Sequence, residues 1–186
     1  RFEPLVKHFN RYLTIGGFPE LALSDDDLYA QRMLREDVVD KVIKRDVLTL
    51  FKVRSPLLME KLFLYLCMNS TEIFSATTAA KELDNISPNT IESYVDALVK
   101  SNLIYMAYPI AVGSKAVLKG RPKIYIADAA IRNAVLMVDD VLSDERELGL
   151  LIETTVYKHL VSFYQGTGAQ LGYYRKAKEN QKEVDA

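Results

Sequence analysis

The chain has 186 residues, 49% hydrophobic and 26% charged, with a net charge of −1. That length allows one domain or two small ones around a sizeable core, and the charge excludes a globally basic nucleic-acid binder. No run approaches the roughly 18 apolar residues that span a bilayer, and Arg1-Phe2-Glu3 has no leader pattern, so a cytoplasmic protein without membrane contact is expected.

Phe2, Leu5, Val6, Phe9 and Leu13 have helical spacing, and Gly16-Gly17 ends that helix. Gly16 to Glu20 reads as a turn in which Pro19 blocks further helix. Asp25-Asp26-Asp27 starts a helix over about 28–51, since carboxylates favour its positive end. Met33, Leu34, Val38, Val42 and Ile43 give it an apolar face, and Arg35, Glu36, Lys41 and Arg45 a solvated one. Ser55-Pro56 restarts the helix, and Leu57 to Met68 is apolar on nearly every side, as a buried helix would be. Cys67 within it reads as a packing residue; as the one cysteine it excludes an internal disulfide and fits a reducing compartment. His8 and His159 stand outside any His/Cys cluster, which argues against zinc.

From Ser75 to Ile126 the order is helix, turn, helix, hairpin. A Ser-capped helix covers about 76–83, Asp84-Asn85-Ile86 turn, and a second helix runs from Ser87-Pro88 to about Ser101 with Ile91, Tyr94, Val95 and Leu98 on one face. Leu103 to Ile110 and Lys123 to Ala127 read as strands, and the whole as a winged helix-turn-helix. Beyond it, Asp128 begins a short helix to Met137, and 139–147 is a polar linker or helix start. A helix over about 147–164 carries Leu148, Ile152, Val156 and Leu160 at four-residue intervals and breaks at Gly166-Thr167-Gly168. Leu171 to Arg175 and Glu183 to Asp185 read as strands around a polar turn, Lys178 to Gln181. The fold class expected is mainly α with small β. Its segments are a helical part (1–54), a winged helix (55–138) and a partial restriction-endonuclease-like α/β end (139–186).

No Gly-x4-Gly-Lys-Ser/Thr is present, so no P-loop is expected here. The wing holds Lys115, Lys119, Arg121 and Lys123 with no acid, a strip able to neutralise phosphates. Asn89, Thr90 and Ser93 are candidate groove contacts, but Glu92 and Asp96 repel a polyanion from the same helix. Glu153 and Asp185 are two carboxylates of the kind that hold a hard divalent cation.

Several motifs fall in a fixed order. They are Phe9-x2-Tyr12-Leu13-x2-Gly16-Gly17-Phe18-Pro19-Glu20, Val42-Ile43-x2-Asp46-Val47, Thr90-Ile91-x2-Tyr94-Val95-x2-Leu98 and Lys123-Ile124-Tyr125-x2-Asp128. Gly149-x3-Glu153, Tyr173-Tyr174-Arg175 and Glu183-Val184-Asp185 complete the set. In these the chain resembles the C-terminal half of a family of bacterial and archaeal AAA-type ATPases ending in a domain of unknown function. The resemblance implies an upstream ATPase domain as partner, with ATP and Mg as its cofactors and none in this chain. It also implies that the closing segment starts a PD-(D/E)xK nuclease-like module, with Glu153 as helix acid and Asp185 as strand acid. The Glu-x-Lys strand of that module is not in this sequence, so the chain itself is expected to be non-catalytic. Arg1 is not an initiator, as expected of a piece of a longer protein. The functional expectation is a regulatory or interaction region of such an ATPase that contacts DNA through its winged helix. The alternatives are a docking or homo-oligomerisation module without nucleic acid, and part of a metal-dependent nuclease.

Overall fold

The computed structural model describes residues 2–51, 53–110, 120–138, 140–175 and 183–185. Helix α1 spans Glu3–Ile15 and ends at Gly16, whose N–H bonds back to Tyr12. Pro19 does not merely interrupt: it sits in the first turn of a short helix, α2 (Pro19–Ala22), where a missing N–H is harmless. Asp26 caps α3 (Asp27–Arg35) by accepting from the Tyr29 N–H.

Helix α3 runs without a break into a π-wound stretch, Glu36–Val47, and a last turn, α4 (Leu48–Leu50). The buried residues Leu34, Val38, Ile43 and Val47 are spaced four, five and four apart. At 3.6 residues per turn the positions following Leu34 onto the core face would include Lys41 and Arg45. The wider winding keeps both in solvent, paired with Asp37 and Asp46 respectively. Here the apolar spacing, not intrinsic propensity, accounts for a rare helix type.

Ser55 caps α5 (Pro56–Met68), Ser75 caps α6 (Ala76–Glu82), and Asp84 and Asn85 adopt left-handed conformations in the turn. Helix α7 (Pro88–Lys100) follows; Ser87 is at its N-cap position but makes no side-chain cap bond. Strands β1 (Ile104–Pro109) and β2 (Lys123–Ile126) pair antiparallel. Asp128 caps α8 (Ala129–Leu136), Asp144 caps α9 (Glu145–Tyr164), and β3 (Gly172–Arg175) and β4 (Glu183–Asp185) close the chain. The four strands form one sheet in the order β2-β1-β3-β4, with β1 and β3 parallel. The protein is thus mainly helical with a small mixed sheet. That sheet joins strands of the second and third expected segments.

The main core lies between α3, the π stretch, α5, α6, α7, α8 and one sheet face carrying Ile104, Ile124 and Ile126. On the opposite face Ala107 and Tyr125 pack on Tyr157 of α9, the two tyrosine rings stacked at 4.1 Å. The helix α5 is less enclosed than its composition suggests: Met59, Leu62, Phe63, Leu66 and Cys67 are buried, while Leu57, Leu64 and Met68 are exposed. The apolar stripe of α1 turns outward. Phe2, Leu5, Val6 and Phe9 are 41–74% exposed, and only Leu13 and Ile15 enter the core. On α9, Ile152 and Val156 are likewise exposed, and Leu151, Thr154, Thr155 and Tyr157 face inward.

Candidate functional site

Three features bring together residues distant in sequence. The first is a clasp that ties α1, α8 and α9. Lys158 of α9 is ion-paired and hydrogen-bonded with Asp128, and donates to the Tyr12 hydroxyl at 3.1 Å. The Tyr12 oxygen also lies 3.1 Å from His159 Nε2, within hydrogen-bond distance. The other Asp128 oxygen, Oδ1, accepts from the Ala130 N–H at 2.9 Å, so one carboxylate both caps α8 and holds Lys158. Burial pulls the Lys158 pKa down, but the Asp128 charge and the bonds to Asp128 and Tyr12 outweigh it, and the net shift is upward. Both glycines of the Gly16-Gly17 motif serve this clasp. A Cβ on Gly16 (φ +76°) would lie 2.7 Å from Asp128 Oδ1, and one on Gly17 3.0 Å from the Tyr12 ring.

The second feature is a half-buried network at the sheet. Glu153 Oε1 accepts from the Tyr125 hydroxyl at 2.9 Å and lies 3.4 Å from Lys123 Nζ. Lys123 is 6% exposed and lies over the Tyr173 ring, whose hydroxyl donates to the Arg121 carbonyl. Backbone pairing sets Asp185 opposite Tyr173. The Glu153 oxygen thus faces a phenol and an ammonium, and the side chain of Asp185 lies outside the described residues. Among the described residues no group of three or more His, Cys, Asp or Glu gathers to hold a metal ion.

The third is the outer face of α7 and the cleft beside it. Asn89 and Ser93 are exposed and Thr90 half-buried. Glu92 and Asp96 share that face; Asp96 pairs with Lys100 at 2.6 Å, and Glu92 has no charged partner among the described residues. Of the wing cations, Arg121 is exposed at the cleft, Lys123 faces Glu153 instead of solvent, and Lys115 and Lys119 lie outside the described residues, as does the turn at 178–181. The cleft, of about 1150 Å³, lies between α7, the edge of β1 and the C-terminal part of α9.

Nothing in the sequence pointed to Lys158, Arg132 or Glu147, and His159 read there only as a histidine outside any cluster. Arg132, 3% exposed, forms a two-pronged pair with Glu147 and donates to the Cys67 carbonyl. No periodic signal marks these residues; the Gly-Gly pair and Asp128 were the only sequence hints of the clasp. Among the described residues no helix is long and apolar enough to cross a membrane.

These features define a mainly helical protein with a small mixed sheet, in which β2 and α8 are tied by ion pairs to the long helix α9. The chain belongs to a family described as a domain of unknown function (DUF8612), whose model matches residues 6–142. It is 30% identical over 175 residues to the uncharacterised protein MJ1637 of Methanocaldococcus jannaschii, covering 92% of this chain and 36% of the relative. It is 25% identical over 160 residues to MJ1544 of the same organism, also uncharacterised, covering 84% of this chain and 34% of that one. The chain therefore spans about a third of the length of these relatives. No solved structure matches it.

Proposed function

We propose that this chain is a non-catalytic interaction module with a winged-helix core, working inside a longer AAA-type ATPase polypeptide by docking protein rather than reading duplex DNA. One observation carries this reading: the continuous apolar face where α1 meets α9. Phe9, Val156, His159, Leu160 and Phe163 line a shared groove there, extended along α1 by Phe2, Leu5 and Val6. Contiguous apolar surface of this kind marks an interaction site. The relatives, about three times as long as the matched region, carry chain that could cover such a face. The upstream ATPase, with its ATP and Mg, remains an expectation from the resemblance. The charge on α7 speaks against duplex DNA, because Glu92 and Asp96 stand where phosphates would approach. A nuclease role for Glu153 and Asp185 has no support from the Glu153 surroundings.

The test compares amide hydrogen exchange of α1 and α9 in the isolated chain and in the longer polypeptide. Protection of both helices, at least tenfold greater in the longer polypeptide and lost in Val156→Glu, supports the docked face. Equal exchange overturns it. Saturable duplex binding at low salt that weakens steeply as salt rises would favour the DNA reading instead.

A further inference from the structure

Among the described residues, strand β1 is paired on both sides along only part of its length. With β2 it exchanges bonds through Tyr105 and Ala107, a register fixed by the Ala127 N–H to Leu103 carbonyl bond. Alternation in an antiparallel pair then turns the N–H and C=O of Ile104 and Met106 the other way. On that other side β3 begins only at Gly172, opposite Tyr108. Among the described residues, the four residues of β1 upstream of Tyr108, roughly 13 Å of strand, thus have no strand beside them on that side, and Ile104, Tyr105 and Met106 line the cleft. Of these, Ile104 is buried and Met106 half-buried.

The walls of this slot say what fits it. Tyr157 and Val161 of α9 form one wall, and exposed Tyr108 stands at the mouth. The α7 wall contributes the exposed carboxylate of Glu92, while its neighbour Asp96 is paired with Lys100 at 2.6 Å, and Arg121 also lines the cleft. At about 1150 Å³ the space exceeds most small-molecule pockets. We infer that the edge of β1 beside Glu92 of α7 binds an extended Lys- or Arg-bearing peptide by strand addition. Its backbone pairs with Met106, its apolar side chains meet the tyrosines, and a cation of the peptide faces Glu92. A nucleic acid fits less well, since its phosphates would meet Glu92 and its backbone offers no strand pairing. The slot uses another face of α9 than the α1 groove, so either reading can fail without the other.

The probes are two fluorescein-labelled seven-residue peptides, one alternating Lys and Val and one alternating Glu and Val, titrated into the full chain at low salt. The Lys–Val peptide is expected to bind at least tenfold more tightly, and Glu92→Gln to weaken it about threefold, as for one exposed charge pair. Glu92→Lys, an exposed change that spares the core, is expected to shift the preference toward the Glu–Val peptide. At saturation the Met106 amide should exchange about tenfold more slowly, the effect of a new backbone bond of about 1 kcal/mol or more. Equal binding of the two peptides, a preference unmoved by Glu92→Lys, an unaltered Met106 amide, or tighter binding of a DNA duplex would each overturn the inference.

Discussion

Replacing Gly16 with alanine tests the clasp most directly. Gly16 has φ +76° and ψ −169°, a region essentially reserved for glycine, where a side chain costs about 1–3 kcal/mol. The new methyl would also meet Asp128 Oδ1 at 2.7 Å and the Ala130 Cβ at 2.9 Å. Asp128 is 4% exposed and cannot swing into solvent; its displacement weakens the cap of α8, worth about 0.5–2 kcal/mol. The same movement draws the carboxylate away from Lys158. Together these put the loss at about 3–5 kcal/mol, or on the order of 10 °C in Tm for a chain of this size. Urea and thermal unfolding followed by circular dichroism measure it. Gly149→Ala is the control: it lies inside α9 with nothing within 4 Å of its Cβ position, so it should stabilise by about 0.5–1 kcal/mol. Because the cost passes through Asp128, Gly16→Ala combined with Asp128→Ala should be less damaging than the two singly added. A Gly16→Ala protein within about 1 kcal/mol of the parent would refute the reasoning, as would strict additivity.

Other consequences are open to measurement. Glu147→Ala leaves Arg132 buried without its carboxylate and should cost about 2–4 kcal/mol in urea unfolding; a change under about 0.5 kcal/mol would deny the pair its role. Lys158 titrates above its ordinary value near 10.5 in the folded chain. Its contribution is therefore complete below that pH and is lost as the pH rises through the folded value. Between pH 9 and 12 the parent should lose more stability than Lys158→Met, and parallel curves would contradict the pairing. Burial pushes the Cys67 thiol well above the usual range, so a thiol reagent should label it only as fast as the protein opens, and rapid labelling of folded protein would show the site accessible.

Local signals were legible where local chemistry decides. Ser55 and Ser75 cap helices, Asp84-Asn85 make the turn, and Glu183–Asp185 is a strand with the bounds expected. Periodicity located apolar stripes correctly but could not say what covers them. The Phe2, Leu5, Val6 and Phe9 stripe of α1 reads like any core face, yet it lies in solvent because Leu13 and Ile15 alone reach the interior. The helix after Asp26 misled in another way. Its apolar residues fit a 3.6 period only in part, and a spacing of five between Val38 and Ile43 forces a wider winding that nobody assigns by default. Lys123 reads as a wing cation because sequence shows charge and not burial. Its partner, Glu153, is thirty positions away, and only the packing of α9 on the sheet makes the pair.

The position of α9 has a larger consequence. The family match ends at residue 142, before α9 begins, so the match alone would mark α9 as an appendage. Three ion pairs argue otherwise. Lys123, Asp128 and Arg132 lie within ten residues of one another, and each reaches a different turn of α9: Glu153, Lys158 and Glu147. All three are at most 6% exposed. Without α9 the three groups lose these partners together with part of their cover, and Tyr125 and Leu13, which pack on Tyr157 and Leu151 respectively, become exposed. A chain cut after residue 142 is therefore expected to lose cooperative unfolding and to bind apolar dyes, although it retains every residue of the family match. Adding α9 back as a separate peptide should restore order only if Glu147, Glu153 and Lys158 are all present. Cooperative unfolding of the shortened chain would show that α9 is dispensable and that the clasp follows from the fold without holding it.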